Sequence, residues 1–419
     1  HGSLNVFNHR TNVELTNRLV CYDIKDLGKQ LKKIGMLVVQ DQVWGRVTQN
    51  RSEGKSTRYY MDEFHLLLKE EQTAAYSVEI FKRFRKWGGI PTAITQNVKD
   101  MLASLNICSG EYKARQYDHE VKGLSVIKPY IGKERDVSGD AGVFMVEPLS
   151  REGVVLSAGI LPRYSDIDTY HMMASVIDLA IRRADAAGAR TDMLSGLDNF
   201  CWPDPVQSAK TPDGEYKMAQ LVRANEALYD YTIAFSCPCI SGKDSMKNDS
   251  TRGGRKISIP PTVLFSVIGK AEDIAHCVSP DFKRADEDVY VVGLTKPELG
   301  GSEYFAMMGA TGNNVPKVNA EEALKLYKAI ESMLKEDIAS SVGTPALGGL
   351  AVAMAKAAMG GRVGVSLDLS KVPAESGMKD AEILFENVNV TLRRGMQLSD
   401  SLINRSHGSI GNTTDTAVS

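Results

Sequence analysis

The sequence predicts an α+β fold preceded by a shorter α/β segment, and two patterns support this prediction. Beyond about residue 105, short runs of β-forming residues separated by turn residues alternate with long stretches that have apolar residues at helical spacing. Before that point, strand-like and helix-like stretches follow one another in turn. Such alternation is typical of a parallel sheet whose functional residues lie at the strand ends.

The α/β segment contains five predicted elements. Apolar and aromatic runs predict its strands, and apolar residues at helical spacing predict its helices. The strands are residues 19–23, 58–61 and 90–95, and the helices are residues 26–34 and 73–87.

A phosphate-binding loop is the first candidate site in this segment. Residues 54–57 read Gly-Lys-Ser-Thr, the end of a P-loop, but Gln49 stands where the loop needs its other glycine. A P-loop also follows a strand and opens a helix, whereas these residues precede a predicted strand. We therefore interpret residues 54–57 as a solvated turn.

Two adjacent carboxylates, Asp62 and Glu63, follow the predicted strand 58–61. In isolation, two acids after a strand are most simply part of a turn. Residues 2–104, with "STRYYMDEFHLLL" and "GGIPTAITQN", nevertheless resemble the motor ATPases of conjugative type IV secretion systems, which implies a partial RecA-like fold. By that resemblance Asp62 and Glu63 would be the Walker B pair, and Gln96 would sense the nucleotide. The resemblance begins after the place of the P-loop, so we do not expect this segment to hydrolyse ATP.

Composition excludes several classes of protein. At 419 residues the chain has room for two or three domains, and its net charge of -2 gives no whole-chain signature of nucleic-acid or membrane binding. Hydrophobic residues at 43% suffice for ordinary cores, and no apolar run approaches membrane-spanning length, so we expect a cytoplasmic protein. The six cysteines lack paired C-x-x-C spacing and the seven histidines are scattered, which argues against a zinc site.

The larger part of the chain contains the α+β elements. Two prolines at 260–261 interrupt one long β-rich run, which predicts an edge or bent strand, and Ser302 or Glu303 is expected to cap a helix. The predicted strands are residues 143–146, 154–158, 257–268 and 289–294, and the predicted helices are residues 170–187, 320–335 and 350–359.

The same part resembles phosphoribosylformylglycinamidine synthase, specifically the second of that family's two internal repeats. The resemblance covers roughly residues 105–373, and its blocks occur in the family's order. They include "SGDAGVF", "LDNFCWPDP", "ISGKDSMKND", "ELGGSEYFA" and "GGLAVAMAKAAMGG". It implies domains of the AIR-synthase-like N-terminal and C-terminal types, binding of ATP or ADP, and a magnesium ion.

Domain boundaries follow from these two resemblances. Residues 1–104 form the secretion-ATPase-like segment, 105–278 the N-terminal-type domain and 279–385 an incomplete C-terminal-type domain. The polar residues 386–419 are unassigned and expected to be disordered. The abrupt change at Ser104, without a linker, suggests a fusion or an artificial join.

The best phosphate-binding candidate is the block at residues 241–245. Its glycine lets the backbone approach a phosphate, Lys243 supplies positive charge, and the serines donate hydrogen bonds; the candidate residues are Ser241, Lys243, Asp244 and Ser245. Taken alone, these five residues are more simply interpreted as a polar turn between strands. The resemblance favours phosphate contact.

Asp140 is the candidate metal ligand, by its match to a magnesium-binding aspartate of the family. The other positions that would complete the magnesium shell are occupied by Leu179, Arg183 and Thr344, which are unsuitable as ligands. Shifting the alignment by one residue would bring Asp178 in but would spoil the remaining match. We expect Arg183 to replace the metal's charge and to pair with Asp140, which would make phosphate binding independent of metal.

The leading interpretation is an auxiliary nucleotide-binding repeat of an amidotransferase that converts formylglycinamide ribonucleotide to formylglycinamidine ribonucleotide. Its implied partners are the glutaminase and the first synthase repeat. An isolated repeat should also expose apolar surface and self-associate. The alternatives are a secretion-motor fragment, which loss of basal ATP turnover in Glu63→Gln would favour, and a non-catalytic fusion product without turnover.

Overall fold

A computed structural model of the protein divides into two compact units, residues 1–100 and 101–419. The residues that it describes are 17, 19–24, 27, 29–61, 83, 84, 87, 89–93, 96–116, 121–386, 390–394 and 410–412. Among them, no helix combines the length and the apolar character needed to cross a membrane.

The first unit contains one long helix and a pair of parallel strands. Helix α1 (Lys29–Ser52) is followed by strands β1 (Thr57–Met61) and β2 (Gly89–Ala93), which pair in parallel. Val43, Val47 and Phe84 form a small buried cluster. The parallel pairing agrees with the predicted α/β pattern, whereas the RecA-like fold stays a prediction.

Three predictions in this unit have different outcomes. Residues 53–54 form a turn and residues 54–56 are exposed, which confirms the solvated turn for the Gly-Lys-Ser part of the stretch, whereas Thr57 begins β1 and is half-buried. The predicted strand at residues 19–23 is wrong: the run forms no strand, Leu19 is 89% exposed, and only Tyr22 packs against the small buried cluster. Most of the predicted helix 73–87, together with Asp62 and Glu63, lies outside the described residues.

The second unit contains a six-stranded mixed sheet with the strand order β3-β6-β7-β12-β8-β9. All neighbouring strands are antiparallel except β8 and β9, which are parallel. The strands are β3 (Ser125–Ile127), β6 (Ala141–Met145), β7 (Gly153–Ile160), β8 (Leu194–Cys201), β9 (Cys239–Ser245) and β12 (Thr262–Ala271).

One face of this sheet is covered by a buried helix. In β7 the residues alternate between buried and more exposed, because successive side chains of a strand point to opposite faces. Ser157 donates a 2.6 Å hydrogen bond to the Ala180 carbonyl of helix α4 (Thr169–Ala186). A side chain at Gly159 would lie 2.1 Å from the Val176 carbonyl oxygen, so glycine is what permits this close helix–sheet contact.

A four-stranded antiparallel sheet has the order β14-β15-β13-β16. Its strands are β13 (Val289–Val292), β14 (Ala339–Gly343), β15 (Val390–Arg394) and β16 (Ile410–Asn412). Helix α8 (Gly349–Gly361) contributes Leu350, Met354 and Ala357 to a core that also contains Val289 and Val291.

The remaining elements connect and flank these sheets. The helices are α2 (Gln96–Ala103), α3 (Glu111–Ala114), α5 (Gly214–Ala234), α6 (Glu303–Met307), α7 (Ala320–Lys335) and α9 (Asp380–Phe385). Two short hairpins pair β4 (Tyr130–Ile131) with β5 (Val137–Ser138) and β10 (Asp249–Arg252) with β11 (Arg255–Ser258).

The α+β class is therefore confirmed, with two local corrections. The run 257–268 is not an edge strand: the prolines separate β11 from β12, and β12 lies inside the six-stranded sheet between β7 and β8. The expected disordered tail contains β15 and β16, whose backbone groups pair with β13. The rest of the tail beyond Glu386 lies outside the described residues.

Candidate functional site

The block predicted to bind phosphate forms a strand. Ser241, Lys243, Asp244 and Ser245 all lie on β9, the edge strand that pairs in parallel with β8. The Lys243 side chain is exposed and has no hydrogen bond or ion pair with any other described residue. Ser245 donates a 3.0 Å hydrogen bond to the Asn248 side chain. The segment thus presents a free ammonium group and serine hydroxyls along an exposed sheet edge.

Two carboxylates, Asp198 and Asp244, lie close to each other at this edge of the sheet. Burial raises the pKa of Asp198 on β8, and the nearby Asp244 charge adds to the effect. Gly242 leaves room for the Asp198 carboxylate, because a side chain there would lie 2.9 Å from one of its oxygens. Burial, together with the neighbouring Asp198, raises the pKa of the Cys239 thiol to about 11. The edge therefore carries charges of both signs.

Asp140 lies between β5 and β6, and its partner is a threonine of the other sheet. Thr344, directly after β14, donates from its backbone nitrogen at 2.8 Å and from Oγ1 at 2.9 Å to Asp140 Oδ2. Thr344 is buried, so these bonds join the loop before β6 to the end of β14. One carboxylate oxygen is thus already satisfied by the protein.

Arg183 does not form the expected ion pair with Asp140. It projects from α4 and donates from Nη1 to the Ala158 carbonyl at 2.6 Å, and it makes no hydrogen bond or ion pair with Asp140. Its Nε is buried and lacks a hydrogen-bond partner in the described part of the chain. Burial lowers the pKa of Arg183, and the nearby Asp140 carboxylate opposes this change. The guanidinium therefore influences Asp140 through space and not through a hydrogen bond.

Lys356 on α8 is a further cation at this place, which sequence reasoning missed. It is half-buried and makes no hydrogen bond or ion pair with another described residue. Burial lowers the pKa of Lys356, Asp140 opposes this change, and Arg183 adds to it. A signal did exist in the sequence, because Lys356 is the only charged residue of α8.

The residues around Asp140 do not fit a magnesium ion. Leu179 is buried and its side chain has no oxygen, while Arg183 and Lys356 are cations that repel a divalent ion. Within the described ranges, no group of three or more His, Cys, Asp or Glu residues could hold a metal. The family-implied magnesium site is therefore not reproduced by these side chains.

Asp178, the alternative ligand in a shifted alignment, belongs to the core. It is buried, accepts a hydrogen bond from the Tyr327 hydroxyl and lies 3.8 Å from Arg182 Nε. Burial raises the pKa of Asp178. It therefore connects α4 to α7 and is not directed at Asp140.

The predicted site residues fall into separate places. Asp140 precedes β6, whereas Lys243 lies on β9, and strands β7, β12 and β8 stand between them. Four inter-strand steps correspond to roughly 19 Å. Gln96 begins α2 in another part of the chain. Asp140 and the β9 block therefore cannot contact the same phosphate group.

Comparisons with known structures first define the class of fold. The chain is similar to Thermotoga maritima PurL complexed with FGAR, with a TM-score of 0.51 and 16% identity, over 68% of this chain and 44% of that one. It is also similar to the PurLQS structure from Thermotoga maritima, with a TM-score of 0.51 and 16% identity, over 76% of this chain and 50% of that one. At these identities the likeness concerns the fold alone.

Curated sequences then identify the relatives. Over 303 residues the chain is 29% identical to phosphoribosylformylglycinamidine synthase subunit PurL of Methanocaldococcus jannaschii, covering 72% of this chain and 39% of that protein. It is 30% identical over 293 residues to the PurL subunit of Thermococcus sibiricus, covering 70% of this chain and 38% of that protein. No model of a protein family matches. The chain is thus homologous to PurL over most of its length and spans less than two fifths of these relatives.

Proposed function

We propose that this chain acts as a nucleotide-binding repeat of an ATP-dependent amidotransferase that makes formylglycinamidine ribonucleotide. The similarity to PurL subunits over about 300 residues is the observation that carries this proposal. A Thermotoga maritima PurL of the same fold binds FGAR, and another structure holds the ATP analogue AMPPCP.

The proposed reaction needs two chemical steps. ATP phosphorylates the amide oxygen of formylglycinamide ribonucleotide, which makes it a leaving group, and ammonia from glutamine then displaces the phosphate. Phosphoryl transfer of this kind depends on positioning and on positive charge around the phosphates. The curated relatives are subunits of phosphoribosylformylglycinamidine synthase, and on this similarity we propose a glutaminase and a first synthase repeat as its partners. A cytoplasmic location is part of the same proposal.

Lys243 is the residue that we propose contacts the nucleotide phosphate. Ser241 is the proposed second donor, and Ser245 can donate only after its hydroxyl leaves Asn248. The Lys243 ammonium group is exposed and unpaired among the described residues, so it needs no rearrangement to meet an anion. Asp244 and Asp198 limit how much negative charge this edge attracts. This favours contact of Lys243 with one phosphate group of the nucleotide.

The test is ADP binding by the complete chain, measured by isothermal titration calorimetry. Lys243→Met should weaken binding about tenfold, since one charge-assisted hydrogen bond is lost. Lys210→Met is the matched control, because Lys210 is also exposed but lies outside β9. Equal affinities of the Lys243→Met variant and the control would contradict the assignment of Lys243.

For residues 2–104 the secretion-motor origin stays a separate proposal. The parallel pairing of β1 with β2 supports it, because a motor ATPase strand would deliver Asp62 and Glu63 at the end of β1. The domain limits at residues 104, 278 and 385 are also proposals, because they follow from the resemblances to the secretion motor and to the synthase.

A further inference from the structure

The surroundings of Asp140 hold more positive than negative charge. Arg183 donates to the Ala158 carbonyl of β7, beside Ser157, which pairs with Ala141, the residue after Asp140. Helix α8, which contains Lys356, contacts β5 just before Asp140, and the Asp140 charge acts on both cations. Neither cation forms an ion pair with a described residue, and Asp140 Oδ2 is engaged by Thr344. One carboxylate therefore faces two cations, which leaves an excess of about one positive charge.

This excess is unfavourable unless an anion compensates it. Lys356 is half-buried without a partner, and Arg183 carries a buried Nε without an acceptor among the described residues. Buried cations in proteins are normally paired, because removing them from water costs free energy. These two cations, one on α4 and one on α8, lie near the same place. Together they form a candidate binding site for an oxyanion.

A metal ion would increase this imbalance. Magnesium would add two positive charges beside two existing cations, and Thr344 already occupies one of the two carboxylate oxygens of Asp140. The guanidinium and ammonium groups can instead contact phosphate oxygens directly. They then supply the positive charge that a metal ion would otherwise supply.

We propose that Arg183 and Lys356 take the place of the metal and bind a phosphate-type oxyanion, such as the diphosphate of a nucleotide, without magnesium. The choice of a nucleotide as the source of the oxyanion rests on the proposed function, whereas the anion site itself rests on these two cations. Thr344 holds the Asp140 carboxylate in place through its two hydrogen bonds, and the negative charge of Asp140 partly offsets the two cations.

The experiment is calorimetric titration of the complete chain with ADP, inorganic pyrophosphate and adenosine. Each is titrated in EDTA and again with magnesium. The oxyanion site predicts that ADP and pyrophosphate bind in EDTA and that adenosine alone does not. Binding of ADP only with magnesium, binding of adenosine but not pyrophosphate, or absence of binding by both anions would each overturn the proposal.

Three variants locate the site. Lys356→Met should weaken pyrophosphate binding about tenfold, as expected for one charge-assisted contact. Lys328→Met is the control, because it removes an exposed lysine from α7 and should leave binding unchanged. Asp140→Asn should strengthen binding several-fold, because it removes a repelling charge and keeps an acceptor for Thr344.

The Asp140→Asn result decides the matter even if Lys356→Met fails to fold. If Asp140 were a magnesium ligand, Asp140→Asn would bind the anion more weakly. Weaker binding by this variant therefore overturns the proposal. Lys243→Met separates this inference from the proposed function. Loss of ADP binding in Lys243→Met, with no change in Lys356→Met, would keep the nucleotide site on β9 and reject the oxyanion site at Asp140.

Discussion

Asp185 on α4 is a buried carboxylate without a partner. It is only 1% exposed, and neither of its oxygens accepts a hydrogen bond from a described residue. Burial raises the pKa of Asp185 well above its usual range, and the Glu331 charge adds to this shift. The folded state therefore keeps a proton that the unfolded chain loses near pH 4, so the free energy of unfolding falls as pH rises above about 4.

Replacing Asp185 with Asn should remove this pH-dependent cost. We expect Asp185→Asn to be more stable than the wild type at pH 8, with the difference closing as pH falls towards 4, in urea unfolding over a pH series. Asp192→Asn is a control whose effect on the free energy of unfolding should have the opposite sign, because Arg190 holds the pKa of exposed Asp192 below its usual value. Asp192→Asn should lose a little stability at pH 8 and none at low pH. A constant difference between Asp185→Asn and wild type at every pH would contradict this explanation.

At the residue scale, the sequence showed which metal ligands are replaced, but it did not show which side chains contact one another. The replacement of magnesium ligands by Leu179 and Arg183 was visible, because it needs only position-by-position comparison. The bond from Thr344 to Asp140 was not, because it joins residues 204 apart in the chain. Lys356 was missed because its neighbours come from other elements that only folding brings together.

At the element scale, local signals predicted local structure well. The predicted helix 320–335 coincides with α7, because an amphipathic pattern begins at Asn319, whose side chain accepts a hydrogen bond from the Glu322 nitrogen at 3.3 Å. Ser302 caps α6 as expected. The β9 block reads locally as a polar turn, yet it forms a strand because β8, far away in the sequence, supplies the hydrogen-bonding partner.

The contact between β7 and α4 gives a prediction for these two elements. Gly159→Ala should lower the free energy of unfolding by about 3 kcal/mol or more, because the added methyl group would overlap the Val176 carbonyl and push the helix from the sheet. Gly364→Ala is the control, since no atom lies within 4 Å of a side chain placed there. Chemical denaturation measures both variants. Equal stability of the two variants would contradict the proposed close contact.

At the scale of the whole molecule, the face of the six-stranded sheet opposite α4 has exposed apolar side chains. Leu156 and Ile268 are cross-strand neighbours on this face and are 45% and 40% exposed. Ile160, 41% exposed, continues the apolar surface along β7. Adjacent exposed apolar side chains of this kind mark interaction surfaces more often than free surface. The sequence predicted such a surface only through the family resemblance, because the strand order that assembles it was not readable from local patterns.

We expect this face to pair two copies of the isolated chain. A charge at its centre should prevent the pairing, because an ammonium group would have to be buried between two apolar sheets. Ile268→Lys should therefore sediment as a monomer at concentrations where the wild type sediments as a dimer. Leu105→Lys places the same charge at a site that is 94% exposed and outside the sheet, and it should remain dimeric. A monomeric wild type, or dimers in both variants, would show that the apolar face does not join two copies and would leave another synthase repeat as its partner.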